Sequence, residues 1–287
     1  MAWFFFKGGM FFRVRGMKEE FLKCWHRLLV PYLAINLFCF LCTAVYHGFT
    51  EGPGVIIEHL KVSINNECVK MCYPLWFLLS LAITRIAYQF LVKYLHKVII
   101  IVLAFCAAYS LNYFTYGISD QSQIKSILYI PYWAGNCCLG IFFFGLGDIL
   151  RTIQYNKVLF ATCCVVYAVH LFFPYYLGFY DNSSDCYPLS VLYNFAGIIF
   201  FNNLFKLLLD RNIPLLTHIG KNSMVYYITH GTFFYLLFAV HTFPNQGWGL
   251  YFISIAITAV FLYLMDILFR SEKLKWLSGE YVPEKKL

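Results

Sequence analysis

The sequence predicts an all-α integral membrane protein: a polytopic helix bundle with eight full transmembrane helices plus a partial N-terminal one. Three observations point to that class. The 287 residues are 61% hydrophobic and 21% aromatic, and only 13% are charged, about half the charged share of a soluble domain. Apolar runs of membrane-helix length recur along the chain, divided by polar connectors. Lysine and arginine collect in every second connector, which sets an orientation.

Residues 1–12, Met-Ala-Trp-Phe-Phe-Phe-Lys-Gly-Gly-Met-Phe-Phe, are apolar from the first. They lack the basic start and the small-residue cleavage site of a secretory signal. As a helix they reach about 18 Å, against roughly 30 Å of hydrocarbon. They are therefore expected to be the later part of a membrane helix. A basic connector follows (Arg13, Arg15, Lys18, Lys23, His26, Arg27), then a span at 28–46. The stretch 48–73 is polar and acidic, with Glu51, Glu58 and Glu67. Further spans are expected at 74–92, 98–116, 130–149, 158–178, 188–209, 219–240 and 248–269. Residues 1–270 read as one transmembrane domain and 271–287 as a basic tail.

One set of alternate connectors, with the tail, carries 17 of the 22 basic side chains, and the opposite set holds only Lys61, Lys70 and Lys125. Lys7 and Arg85 remain within spans. This asymmetry predicts a cytoplasmic C-terminus and an outward 48–73 loop. Trp76, Trp133 and Trp248 then fall at outer ends of spans, and Trp25 and Trp276 near inner ends, as interface anchors. The composition excludes a nucleic-acid groove, because no long basic run interleaves with aromatics. Most of the eleven cysteines lie in apolar runs and read as small core fillers. Cys68, Cys72 and Cys186 lie in polar loops, where a pair could bridge. No metal-ligand pattern is present.

Chemistry centres on His218-Ile-Gly-Lys-Asn-Ser-Met-Val-Tyr-Tyr-Ile-Thr-His230. Asn222 or Ser223 is expected to cap a helix that carries Tyr226, Tyr227 and His230 on one face. An imidazole at membrane depth is costly and marks function. His230 reads either as a general base or as a neutral ring bonded to a tyrosine. Arg85, about midway through its span, reads either as a cavity cation for a carboxylate, phosphate or oxyanion, or as the partner of backbone carbonyls, Asp148 or Asp266. Lys7 could act as Arg85 does or extend toward the interface. His47 and His170 read as structural. Asp148 and Asp266 read as exposed carboxylates at cytoplasmic ends. Gly-x-Ser-x-Gly, His-Glu-x-x-His and Walker-type motifs do not occur.

Three stretches together resemble the acyltransferase 3 family of integral membrane acyltransferases. They are Trp3-Phe-Phe-Phe-Lys-Gly-Gly-Met-Phe-Phe with Trp25-His-Arg-Leu-Leu-Val-Pro-Tyr32; Pro74-Leu-Trp-Phe-Leu78; and Ile219-Gly-Lys-Asn-Ser-Met-Val-Tyr-Tyr-Ile-Thr-His230. The resemblance implies about ten helices with both ends cytoplasmic. It implies transfer of an acyl group, usually acetyl, from acyl-coenzyme A to a hydroxyl of a carbohydrate or lipid-linked glycan at a bacterial inner membrane, with no bound cofactor. It also implies a first helix bearing an arginine and, about three turns on, an essential histidine. This sequence begins at the matching second helix. The expectation is that upstream sequence supplies that helix, or that the chain is an inactive relative. On the resemblance Arg27 meets coenzyme A phosphates, or serves as a positive-inside anchor. Lys7, Arg85, Trp76 and His230 line the cavity, with Asn222, Ser223 and Tyr227 beside them. The contrasting reading is a non-catalytic glycan or lipid transporter, which predicts internal symmetry and broken helices that the sequence lacks.

Overall fold

In the computed structural model of the chain, most of the described apolar residues lie in helices. The structure describes residues 1–50, 52, 56–57, 60–61, 63, 68–117, 132–152, 155–208, 213–230, 248–271 and 274–279. The helices are α1 (Ala2–Met10), α2 (Met17–Cys24), α3 (Val30–Thr50), α4 (Trp76–Leu91), α5 (Lys97–Asn112), α6 (Tyr132–Ile149), α7 (Lys157–Phe172), α8 (Tyr187–Leu208), α9 (Pro214–Lys221), α10 (residues 223–230) and α11 (Trp248–Phe269). A two-stranded hairpin, β1 (Leu177–Gly178) and β2 (Ser183–Ser184), pairs antiparallel with Leu177 opposite Ser184.

The molecule is mostly helical and three described helices, Met17–Val45, Lys97–Tyr116 and Tyr187–Leu208, are long and apolar enough to cross a membrane. The apolar stretches 76–91, 133–149, 157–172 and 255–269, the second and last of which lie within α6 and α11, run for 10–17 residues. The predicted count of eight full spans is therefore not borne out, although a helix does lie in each predicted segment. The span expected at 219–240 breaks at Asn222, where α9 ends, and its second half lies outside the described residues. Within the basic connector residues 12–16 are not helical, and from Met17 the helix continues through Val45. Many large apolar side chains face outward, among them Val158, Leu171, Phe172 and Leu207. That surface suits lipid better than water.

The chain divides into two compact units, Met1–Glu20 with Ile83–Asn212, and Phe21–Ala82 with Ile213–Leu287. In the first, α1 packs along α6, α5 along α6, and α7 along α8. Glycines allow the first of these pairs its closeness. A Cβ added to Gly9 would lie 1.9 Å from the Phe144 carbonyl oxygen, and one on Gly147 would lie 2.0 Å from that of Phe6. Small residues let membrane helices meet backbone to backbone in this way. Around them Phe12, Tyr88, Ile100 and Phe144 form an apolar core. Asn182, at φ 57°, turns the hairpin and ties it down. Its side chain donates to Ala108 O at 2.7 Å and accepts from the Tyr187 hydroxyl at 2.7 Å. Asparagine tolerates this left-handed conformation better than most residues.

In the second unit, Trp25–Leu29 forms a π-helical turn just before Pro31. Proline has no N–H to give the Arg27 carbonyl four residues back, so the helix loosens there. Gly279 approaches the same carbonyl: a Cβ at this position would stand 2.7 Å from Arg27 O, and its φ of +72° also favours glycine.

Candidate functional site

The residues singled out from the sequence fall into both units. Lys7 and Arg85 belong to the first, and Arg27, Trp76, Asn222, Ser223, Tyr227 and His230 to the second.

In the second unit two of the three family-like stretches meet. The Tyr227 hydroxyl donates to the Pro74 carbonyl. The rings of Phe77 and Tyr227 lie 5.6 Å apart, edge to face, and Phe77 meets Trp76 in the same manner at 6.2 Å. Trp76 is buried, so it does not anchor at an interface as expected. It starts α4 within the packed end of the unit. Trp25, Trp133 and Trp276 are exposed, and the Trp248 side chain lies outside the described residues, as does that of His47.

His230 sits 5.6 Å ring to ring from Tyr227. Its Nδ1 lies 2.6 Å from Tyr227 O and 3.1 Å from Tyr226 O. A carbonyl only accepts, so Nδ1 carries the proton and the lone pair of the neutral ring falls on Nε2. The expected bond to a tyrosine is thus to main-chain oxygens one turn back, not to a hydroxyl.

Asn222 stands at the start of α10, but its backbone oxygen receives Val225 N–H at 3.0 Å while its side-chain amide lies 3.3 Å from His218 Nε2. Side-chain capping by Asn222 is therefore replaced by a link to the preceding helix. Ser223 is exposed. His218 Nε2 is 2.8 Å from Asp266 Oδ2, which Arg270 Nη2 also meets at 2.6 Å. Asp266 is only 1% exposed, which overturns its reading as an exposed carboxylate. Sequence reading missed this cluster, although the four-residue spacing from Asp266 to Arg270 is a helix-pair signal.

In the first unit Arg85 is engaged by Glu20. Oε1 of Glu20 accepts from Arg85 Nε at 2.8 Å and from Nη2 at 2.5 Å. The structural reading of Arg85 names carbonyls, Asp148 or Asp266 as partners, and the structure corrects that assignment. Asp148 is instead buried as the hub of Tyr88 at 3.0 Å, Lys97 at 2.7 Å and Arg151 at 3.0 Å. Helix α2 winds Glu20 inward, where a carboxylate requires a cation. Lys7 lies over the Trp3 ring, 5.5 Å from its centroid, a cation–π contact. Arg27 is exposed on the π-helical turn.

The first unit also holds a cleft of about 720 Å³ between α1, α7, α8 and the hairpin approach, within the usual range for small-molecule sites. Its lining includes His170, read from the sequence as structural, with Tyr167, Tyr175, Tyr176, Tyr193 and Asp185. The His170 and Tyr193 rings are 4.7 Å apart, and the buried His170 Nδ1 has no hydrogen-bond partner. The density of tyrosine in 167–193 was the available signal.

None of the eleven cysteines is in a disulfide. Cys72 approaches Asn36 Oδ1 at 3.4 Å. A hydrogen bond with Cys39 and then burial push the Cys72 thiol up, so the thiolate is scarce at neutral pH. Mass spectrometry after maleimide treatment of the folded protein should find Cys72 unlabelled and the half-buried Cys186 labelled. Rapid modification of Cys72 would contradict its placement.

No family model, no curated protein and no solved structure matches this chain.

Proposed function

We propose that the chain is a membrane-embedded O-acyltransferase that moves an acyl group, by preference acetyl, from acyl-coenzyme A to a hydroxyl of a carbohydrate or lipid-linked glycan. In this reading it lies in a bacterial inner membrane with its C-terminus cytoplasmic. One observation supports it above others: the His230 imidazole is fixed through Nδ1 by two carbonyls, which puts the basic lone pair on Nε2. The family-like Pro74–Leu78 stretch packs against Tyr227, whose ring lies beside that of His230.

The chemistry follows from the tautomer. Nε2 takes the proton of the acceptor hydroxyl as its oxygen attacks the thioester carbonyl. The tetrahedral intermediate collapses, the carbon–sulfur bond breaks, and the imidazolium returns its proton to the departing thiolate. Exposed Arg27 attracts the donor's phosphates. Arg85, already neutralised by Glu20, has no part in the step.

Membrane vesicles containing the chain, given labelled acetyl-coenzyme A, should incorporate label into membrane glycan. His230→Ala should lower that incorporation by about a hundredfold or more, as expected for loss of a general base. Equal labelling would remove His230 from the mechanism. Failure of the unaltered chain to label any glycan would remove the enzyme and favour a non-catalytic membrane protein.

A further inference from the structure

We propose that the cleft of the first unit binds a hexopyranose ring. This binding does not rest on the acyltransferase reading, whose His230 belongs to the other unit.

The lining argues for a neutral, hydroxylated ligand with a flat apolar face. Tyr175 and Tyr193 are nearly parallel, at 19° with centroids 6.3 Å apart. A pyranose presents axial C–H groups to such faces and hydroxyls at its rim, which match rings that carry a polar tip. Hydrogen-bonding groups stand around these rings. Asp185 is exposed and accepts the Tyr176 N–H at 3.3 Å through Oδ2, leaving acceptor capacity for hydroxyl donors. The His170 ring also lines the cleft, and an imidazole can donate to or accept from a hydroxyl. Gly197 makes room: a Cβ there would stand 3.1 Å from the Tyr167 ring.

The same lining argues against the donor or a phosphate headgroup. Among the described residues that line the cleft there is no lysine or arginine side chain, although the Met1 amino group is there too; phosphate sites recruit several such side chains. One end of the cleft, which we take as its mouth, is lined by the connector between α7 and α8, which has no basic residue and so belongs to the outer face under the positive-inside rule. From Tyr193 the lining follows α8 to Phe205, about 18 Å at 1.5 Å per residue, and turns apolar with Ile198 and Phe201. A sugar on a lipid anchor could lie with its ring at the mouth and its chain along this stretch.

The test uses the full chain in nanodiscs, with binding followed by tryptophan fluorescence and by calorimetry. The probes are methyl glucoside, hexadecyl glucoside, hexadecanol and tetramethylammonium. Saturable binding of either glucoside, weakened about tenfold by Tyr175→Ala or Tyr176→Ala, supports the proposal. Preference for the hexadecyl form identifies a lipid-linked source, and equal binding a free saccharide. Hexadecanol binding as tightly as its glucoside, or tetramethylammonium competing with it, overturns the proposal. So does binding that both tyrosine variants leave unchanged. Tyr176 is exposed, so its truncation does not threaten folding. Glucoside binding without acetyl transfer would sink the acyltransferase reading alone. Acetyl transfer by a chain that binds neither glucoside would sink the cleft alone.

Discussion

Arg85→Ala is expected to destabilise the protein by about 3–5 kcal/mol, the cost of leaving a buried carboxylate without its cation. Glu20 is fully buried and the Arg85 side chain 17% exposed, so water can do little to replace the lost guanidinium. Both donor atoms converge on one carboxylate oxygen, and an alanine cannot substitute for either. The double change Glu20→Leu with Arg85→Leu should recover most of that loss, since a buried pair replaced by apolar groups of similar size is often neutral. Thermal unfolding of the purified protein in detergent, followed by near-ultraviolet circular dichroism, gives both values. If Arg85→Ala unfolds at the unaltered temperature, Glu20 is not buried beside it. If the double variant is as unstable as the single one, the arginine supports the fold by some route other than charge. The same variants bear on function. A folded double variant that still transfers acetyl would show directly that the deep arginine is no oxyanion partner.

Gly147→Val is the second large expectation, with Gly9→Val as its counterpart. The two glycines face carbonyl oxygens on the opposite helix, and a Cβ would meet them at 2.0 and 1.9 Å. Backbone cannot rotate away as a side chain can, so α1 and α6 must separate along their whole contact. Overpacking in a close-packed interior typically costs about 1–3 kcal/mol, and occasionally more. Here the upper end or beyond is expected, because two backbones rather than two side chains collide. Gly220→Val, at a position with open space around it, serves as the control and should change stability by less than about 1 kcal/mol, since valine forms helix no worse than glycine. Fluorescence-detected size exclusion after graded heating would rank the three. Equal survival of Gly147→Val and Gly220→Val would mean that α1 and α6 are not in backbone contact.

Composition and periodicity settled where the helices lie. Long apolar runs admit few other structures when water is scarce, so a helix occupies each segment read from the chain. The length of those helices was less legible. Local breaks at Asn222 and the shortness of α4 and α7 depend on how ends are tied down, and hydropathy does not record that. The local pairing of Tyr227 with His230 was visible, because residues three apart on a helix share a face whatever surrounds them. What only the tertiary structure decided was partnership across long separations. Glu20 and Arg85 lie 65 residues apart, and nothing in either neighbourhood marks one for the other. Asp148 and Asp266 sit in sequence where solvated carboxylates are ordinary, yet packing buries both and supplies their cations. His170 looked solitary along its helix and became part of a tyrosine-lined cleft once α8 lay against α7. The physical reason is common to all of these. Burial of apolar surface is a property of each segment by itself, whereas the desolvation of a charge is compensated only by whichever group the fold brings beside it.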